Sequence, residues 1–260
     1  MRRFALLLEY EGTDFGGSQY QRNTGTIQDA LERALSSLTG EPIRVAMAGR
    51  TDAGVNAFGQ VAAFNTASRH GAGVLARAIN DHLPPSIAVR AAREVAPAFD
   101  PRRQASGRWY RYTVDNSRQR PALLRRTVWQ VSDRLDLEAM RSAGSHLLGA
   151  HDVAAFTLPS VAARRDTVRR LTRVEVTRSG ASVRLDVEGN AFLARQVRRT
   201  AGALVEVGRG RLSVDGFAAL LREAVPGSAR PTAPARGLCL MKVRYEDGLF
   251  DDETNDDIQP

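Results

Sequence analysis

Cysteine is almost missing from this chain: Cys239 is the one thiol in 260 residues. An internal disulfide is therefore excluded, and Cys239, set in the alternating run from Gly237 to Tyr245, reads as core filling. Histidine is scarce too. His70, His82, His146 and His151 show no ligand spacing with one another or with Cys239, so no metal site is expected, and the Cys-rich signature of the zinc deaminases is lacking. Long apolar runs are also wanting, and the stretch from Phe4 to Leu8 is too short for a signal core or a membrane span. A cytoplasmic protein without membrane contact is expected. No Walker, Rossmann or metal pattern occurs, which fits a reaction that needs no cofactor.

What the chain does have is positive charge. Its formal +8 understates the asymmetry, because Glu246, Asp247, Asp251, Asp252, Glu253, Asp256 and Asp257 follow Tyr245 without a compensating base. The preceding body holds 37 basic against 22 acidic residues, a formal +15. Such a charge on a folded body fits a polyanionic partner, with a merely solvated basic surface as the bland alternative. Aromatics make up only 6% and neither terminus carries a Lys/Arg block, which argues against a disordered nucleic-acid tail. With 43% apolar residues the chain can bury a substantial core without metal or disulfide support.

Periodicity predicts interleaved strands and helices. Residues 3–10 read as a buried strand turned by Glu11-Gly-Thr-Asp14. A helix follows, with Thr26 as N-cap, Asp29 at its third position, Ile27, Ala30, Leu31, Ala34, Leu35 and Leu38 on one face, and Gly40 as its stop. Strands are predicted at 43–47, 60–65 and 87–94, with a weaker helix over 74–82 ended by Pro84-Pro85. The second half gives a strand at 109–114, a helix over 136–148 and a hairpin of 168–177 with 182–188. Helices over 192–207 and 214–224 and a last strand at 237–245 complete it. These elements predict mixed α/β architecture in two domains, 1–105 and 106–246, with an acidic, disordered tail over 247–260.

One loop stands out chemically. Ala48-Gly-Arg-Thr-Asp-Ala-Gly-Val-Asn56 sets one carboxylate, Asp52, between two glycines and beside an arginine and a threonine whose hydroxyl is expected to orient Asp52 or its neighbours. An ordinary Asx turn has the same composition, so the loop alone does not decide.

GRTDAGV followed by Gly59-Gln60-Val61 resembles the hallmark loop of the TruA-type tRNA pseudouridine synthases, the tRNA pseudouridine synthase A family. The resemblance continues in Tyr10-Glu-Gly-Thr-Asp-Phe-Gly-Gly17, Gln19, Gln21, Thr26-Ile-Gln28, Leu31-Glu-Arg-Ala-Leu35 and Ala78-Ile-Asn80. Further on it includes Leu83-Pro84, Arg108-Trp-Tyr-Arg-Tyr112, Asn190-Ala-Phe192, Val197-Arg198 and Gly237-Leu238, so it covers nearly everything from Phe4 to Tyr245. It implies Asp52 as the catalytic carboxylate and Arg198 as the arginine that pairs with it; an RNA-facing or solvated helix charge is the alternative for Arg198. It implies Tyr110 as the aromatic that stacks on the target uracil, although Tyr112 shares its strand face and either ring suits a sheet core. Arg50 matches the residue that fills the space of the flipped nucleotide or holds its phosphate; a bridge to Asp52 would serve it equally.

The expected fold is α/β (α+β): two domains of mixed, largely antiparallel sheet, helices packed on one face, and an active-site cleft between them. The expected partner is tRNA, bound mostly through phosphate and shape, with Arg102, Arg103, Arg108, Arg111, Arg118, Arg120, Arg125, Arg126, Arg164 and Arg165 as candidate contacts. Action as a homodimer on uridines 38 to 40 of the anticodon arm is a further implication. Three departures stand against the family pattern: Asn56 where histidine is common, Ser18 where tryptophan is common, and Gln196 before Val197-Arg198 where methionine is common, the last a matter of packing. A noncatalytic RNA-binding protein would need the basic body but not the combination of Asp52, Tyr110 and Arg198. A metal-dependent nuclease would need clustered acids, and near the loop only Asp52 stands out.

Overall fold

Alternating and continuous apolar runs resolve into strands, and capped amphipathic runs into helices, in a computed structural model that describes residues 1–254. The order is β1 (Arg2–Tyr10), α1 (Ile27–Thr39), β2 (Val45–Met47), β3 (Asn56–Thr66), α2 (Ala72–Asn80) and β4 (Ile87–Val95). It continues as β5 (Ala105–Asp115), β6 (Trp129–Gln130), α3 (Leu137–Ser145), β7 (Gly149–Asp152) and α4 (Pro159–Ala162). Last come β8 (Val168–Ser179), β9 (Ser182–Gly189), α5 (Gln196–Gly208), α6 (Val214–Glu223) and β10 (Leu238–Tyr245). The class is α/β with mostly antiparallel pairing. No helix among the described residues is long and apolar enough to cross a membrane.

The chain divides into two compact units, Met1–Ser106 with Leu240 onward, and Gly107–Cys239. The sequence boundaries assigned Leu240–Tyr245 to the second domain; the structure groups it with the first. β10 neighbours β3 in the sheet, and at Gly59 the Met241 carbonyl oxygen lies 2.3 Å from where a Cβ would stand.

In the first unit β1 lies between β3 and β4, antiparallel to both, while β2 also pairs with β3. Phe4 to Leu8 are buried without alternation, as expected of a strand covered on both faces. Helix α1 starts and stops where its caps predict: the Thr26 hydroxyl accepts from Asp29 N–H, and Gly40 adopts a left-handed φ of 70° while its N–H returns to Ser36 O. Each such N-cap stabilises by about 1 kcal/mol. Its buried Glu32 ties the helix to β2, accepting from Val45 N–H at 3.0 Å and from the Arg44 guanidinium at 2.8 Å.

The disorder expected from residue 247 does not describe 247–254. Leu249, Phe250 and Thr254 are buried, and Arg93 of β4 lies over the Phe250 ring while pairing with Asp252. Lys242 donates to Asp251 at 3.1 Å and to the Thr254 carbonyl at 3.2 Å. Two apolar side chains among the acids are enough to dock the segment. Residues 255–260 of the expected tail lie outside the described residues.

In the second unit β9 runs between β5 and β8, and β7 extends β8, all antiparallel; β6 lies parallel to the end of β5. Helix α3 begins at an Asp136 cap that accepts from Glu138 and Ala139 N–H, and it packs on β8, α5 and α6. One candidate RNA contact is corrected here. Arg111 is buried and donates to the buried Asp186 at 2.9 Å, with Trp109 Nε1 donating to the same carboxylate at 2.7 Å, so its charge is spent inside the sheet. By contrast Arg102, Arg103, Arg118, Arg120, Arg125, Arg164 and Arg165 are exposed.

Candidate active site

The loop between β2 and β3 owes its shape to side chains from outside it. Ala48 N–H still reaches Val61 O, as a strand residue would, and the fully buried Gln60 amide then continues the pairing. Gln60 donates to Gly49 O at 2.9 Å and accepts from Gly49 N–H at 3.3 Å. Beyond Arg50 the chain turns: Val55 N–H donates to Asp52 O at 3.1 Å, with Gly54 at a left-handed φ of 76° that a side chain would strain. Asp52 is half-buried within this turn, and Arg50 is exposed. Arg50 also lines an open hollow with Ser18, Gln19, Gln28, Met47 and Arg102.

The segment after β1 wraps this loop. Thr51 Oγ1 shares a buried hydrogen bond of 2.8 Å with Tyr10 OH, to which Gln60 also donates at 3.4 Å. Ser18 Oγ accepts from Thr51 N–H at 2.8 Å, while Ser18 N–H donates to Thr51 O at 3.1 Å. Past the turn, Asn56 Oδ1 accepts from Gly12 N–H at 2.9 Å. Only glycine fits at 12, since a Cβ there would stand 2.0 Å from Val55 O. Ser18 and Asn56, two of the departures from the family pattern, are thus buried and bonded to the protein's own backbone.

Tyr110 and Arg198 belong to the second unit. Tyr110 is buried on β5 opposite Val187, with its ring centroid 5.1 Å from that of Phe192 in an edge arrangement. Arg198 sits in the first turn of α5, where its Nε donates to Ala233 O at 2.8 Å and its carbonyl accepts from Ala233 N–H at 3.0 Å. Its neighbour Arg199 donates to Gly227 O and Ala229 O, and burial, with Arg230 and Arg195 nearby, lowers its pKa. Tyr112, two residues along β5, is fully buried and donates to Pro234 O at 2.8 Å. Burial pushes its phenol well above the ordinary range against the opposing charges of Arg198 and Arg236.

Asp52 and Arg50 therefore share one loop of the first unit, and Tyr110 and Arg198 stand on separate elements of the second. Among the described residues no group of three or more His, Cys, Asp or Glu side chains is placed to hold a metal ion. Sequence reasoning missed the supporting side chains Tyr10, Ser18 and Gln60. Their signal was faint: a phenol ending an apolar strand and an amide within one, both needing partners once buried.

Comparison with known proteins bears directly on this loop. The family model for tRNA pseudouridine synthase matches residues 7–102 and 143–246, which include Arg50, Asp52 and Arg198 but not Tyr110. The chain is 45% identical over 247 residues to a tRNA pseudouridine synthase A of Geobacter sulfurreducens, covering 94% of this chain and 100% of that one. It is 47% identical over 249 residues to the tRNA pseudouridine synthase A of Myxococcus xanthus, covering 95% and 94%. The same named protein of Roseiflexus castenholzii matches at 47% over 254 residues, covering 95% and 93%. With both halves matched and near-complete coverage of its relatives, the chain belongs to the tRNA pseudouridine synthase family.

Proposed function

We propose that this protein isomerises uridine to pseudouridine in folded tRNA, with Asp52 as the catalytic carboxylate and no cofactor. Family membership makes it an isomerase acting on tRNA. The observation that carries the assignment to Asp52 is its setting: a half-buried carboxylate on a loop whose flanking residues are fixed by buried hydrogen bonds. Such fixing is what a group acting on a reacting atom requires.

The reaction is internally balanced. The bond from C1′ to N1 breaks, the uracil turns, C5 bonds to C1′, the C5 proton leaves and N1 gains a proton. Asp52 serves it as an ionised group by adding to the ring or to C1′, or by taking a ribose proton. In this reading Arg198 pairs with Asp52, oriented by its bond to Ala233 O. Tyr110, held by Phe192, stacks on the uracil and offsets part of the few kcal/mol, on the order of one stacking step, that extruding a base costs. Arg50, exposed on the same loop, fills the vacated stack or holds the phosphate. The target is the anticodon arm at positions 38 to 40, and the working form is a cytoplasmic homodimer, both by resemblance.

The test is purified protein with unmodified tRNA, without metal or nucleotide, mapped for pseudouridine by chemical labelling. New pseudouridine at positions 38 to 40 with the natural chain, and none with Asp52→Asn or Asp52→Ala at unchanged tRNA affinity, is the expected result. Near-normal turnover in those variants would reject Asp52; binding without any conversion by the natural chain would favour a noncatalytic RNA-binding role.

A further inference from the structure

We propose that Tyr10, Ser18 and Asn56 are positioning residues for the Asp52 carboxylate, acting through Thr51 and the segment that wraps its loop without touching the RNA. This rests on the assignment of Asp52 above. Residues 48–55 carry no helix or strand of their own, and side chains from outside the loop hold its backbone and flank. The three side chains reach the loop or its flank from positions 41, 33 and 44 residues distant from their partners. Their exposures, 3% for Tyr10, 0% for Ser18 and 7% for Asn56, leave no surface for a macromolecular substrate. Whatever they contribute must pass through the groups they hold.

What they hold brackets Asp52. Ser18 grips residue 51 at two points, taking its N–H with a side-chain oxygen and giving its carbonyl a backbone N–H. Tyr10 holds the Thr51 side chain, so backbone and hydroxyl of the residue before Asp52 are both fixed. On the other side Asn56 takes Gly12 N–H, locking the exit of the turn to the same wrapping segment. Asp52 to Val55 span these anchors in one hydrogen-bonded turn. Removing an anchor frees the turn to rock, and a displacement of about 1 Å at a reacting group can cost on the order of a hundredfold in rate. Ser18 and Asn56, which depart from the family pattern, therefore serve loop geometry.

The experiment compares single-turnover rates at saturating tRNA with tRNA affinity in Tyr10→Phe, Ser18→Ala, Thr51→Val and Thr51→Ser, with Asp52→Ala alongside. Loss of about tenfold or more in rate is expected for the first three at unchanged affinity. Thr51→Ser keeps the hydroxyl and should keep the rate, and Tyr10→Phe combined with Thr51→Val should lose less than the sum of the two, since they share the bond between them. Full rates in Tyr10→Phe and Ser18→Ala, affinity falling in step with rate, or Thr51→Ser as slow as Thr51→Val would each overturn the inference. If Asp52→Ala is inactive while the others run at full rate, only the positioning idea fails; if Asp52→Ala stays active, the underlying assignment fails.

Discussion

Tyr112 has its phenol held inside the second unit by one carbonyl, Pro234 O, with Trp129 edge-on at 6.2 Å and Gly237 leaving room for the ring. Burial raises its pKa, so the native state keeps this proton at alkaline pH where the unfolded chain, with an ordinary phenol at about 10, releases it. The native state then binds more protons than the unfolded one, and stability must fall as pH rises above about 10. Tyr112→Phe should remove that component: urea unfolding between about pH 8 and 11 should show a shallower decline than in the natural chain. Parallel declines would mean that the buried phenol contributes nothing to the alkaline limit. The sequence could not separate Tyr110 from Tyr112, because residues two apart share a strand face. Distant partners separate them: Pro234 takes Tyr112, and Phe192 meets Tyr110.

At the level of elements, β5 and β9 are joined by more than their ladder. Asp186 on β9 lies opposite Arg111 on β5, both side chains under 10% exposed, and it also accepts from Trp109 while Arg111 and Arg173 lie over the indole. Asp186→Ala would remove the buried carboxylate to which both Arg111 and Trp109 donate, so a loss of about 3–5 kcal/mol is expected in denaturant unfolding. A loss below about 1 kcal/mol would show that the pair is screened like a surface bridge. Strands and helices of this kind were legible where signals are local, as with Thr26, Asp29 and Gly40 around α1. The start of α5 was not. Apolar periodicity placed it at 192, but Arg195 adopts a left-handed φ of 62° and the Gln196 side chain turns back to accept from Leu193 N–H, so the helix begins at 196. The Asp52 loop itself was legible as composition, whereas its supports were not, since Ser18 and Thr51, or Gly12 and Asn56, meet only in three dimensions.

Across the whole molecule, basic charge is almost entirely arginine. Arginine suits bidentate phosphate contact and never loses its proton at physiological pH, which fits a protein that must grip a folded polyanion. The chain's single lysine, Lys242, stands apart: its side chain is 7% exposed and its ammonium is bonded to Asp251 and the Thr254 carbonyl. Amine-directed reagents thus meet a native surface with no lysine to acylate, while Met1 is 89% exposed. An activated ester should tag the α-amine first and reach residue 242 only when the stretch after Tyr245 lifts away. Mass mapping of the labelled peptides should find residue 242 unmodified in the native chain and modified in Asp251→Ala; rapid native modification would contradict the burial. An amine-directed label would then report on the seating of the segment after Tyr245 with no engineered cysteine and without modifying any arginine.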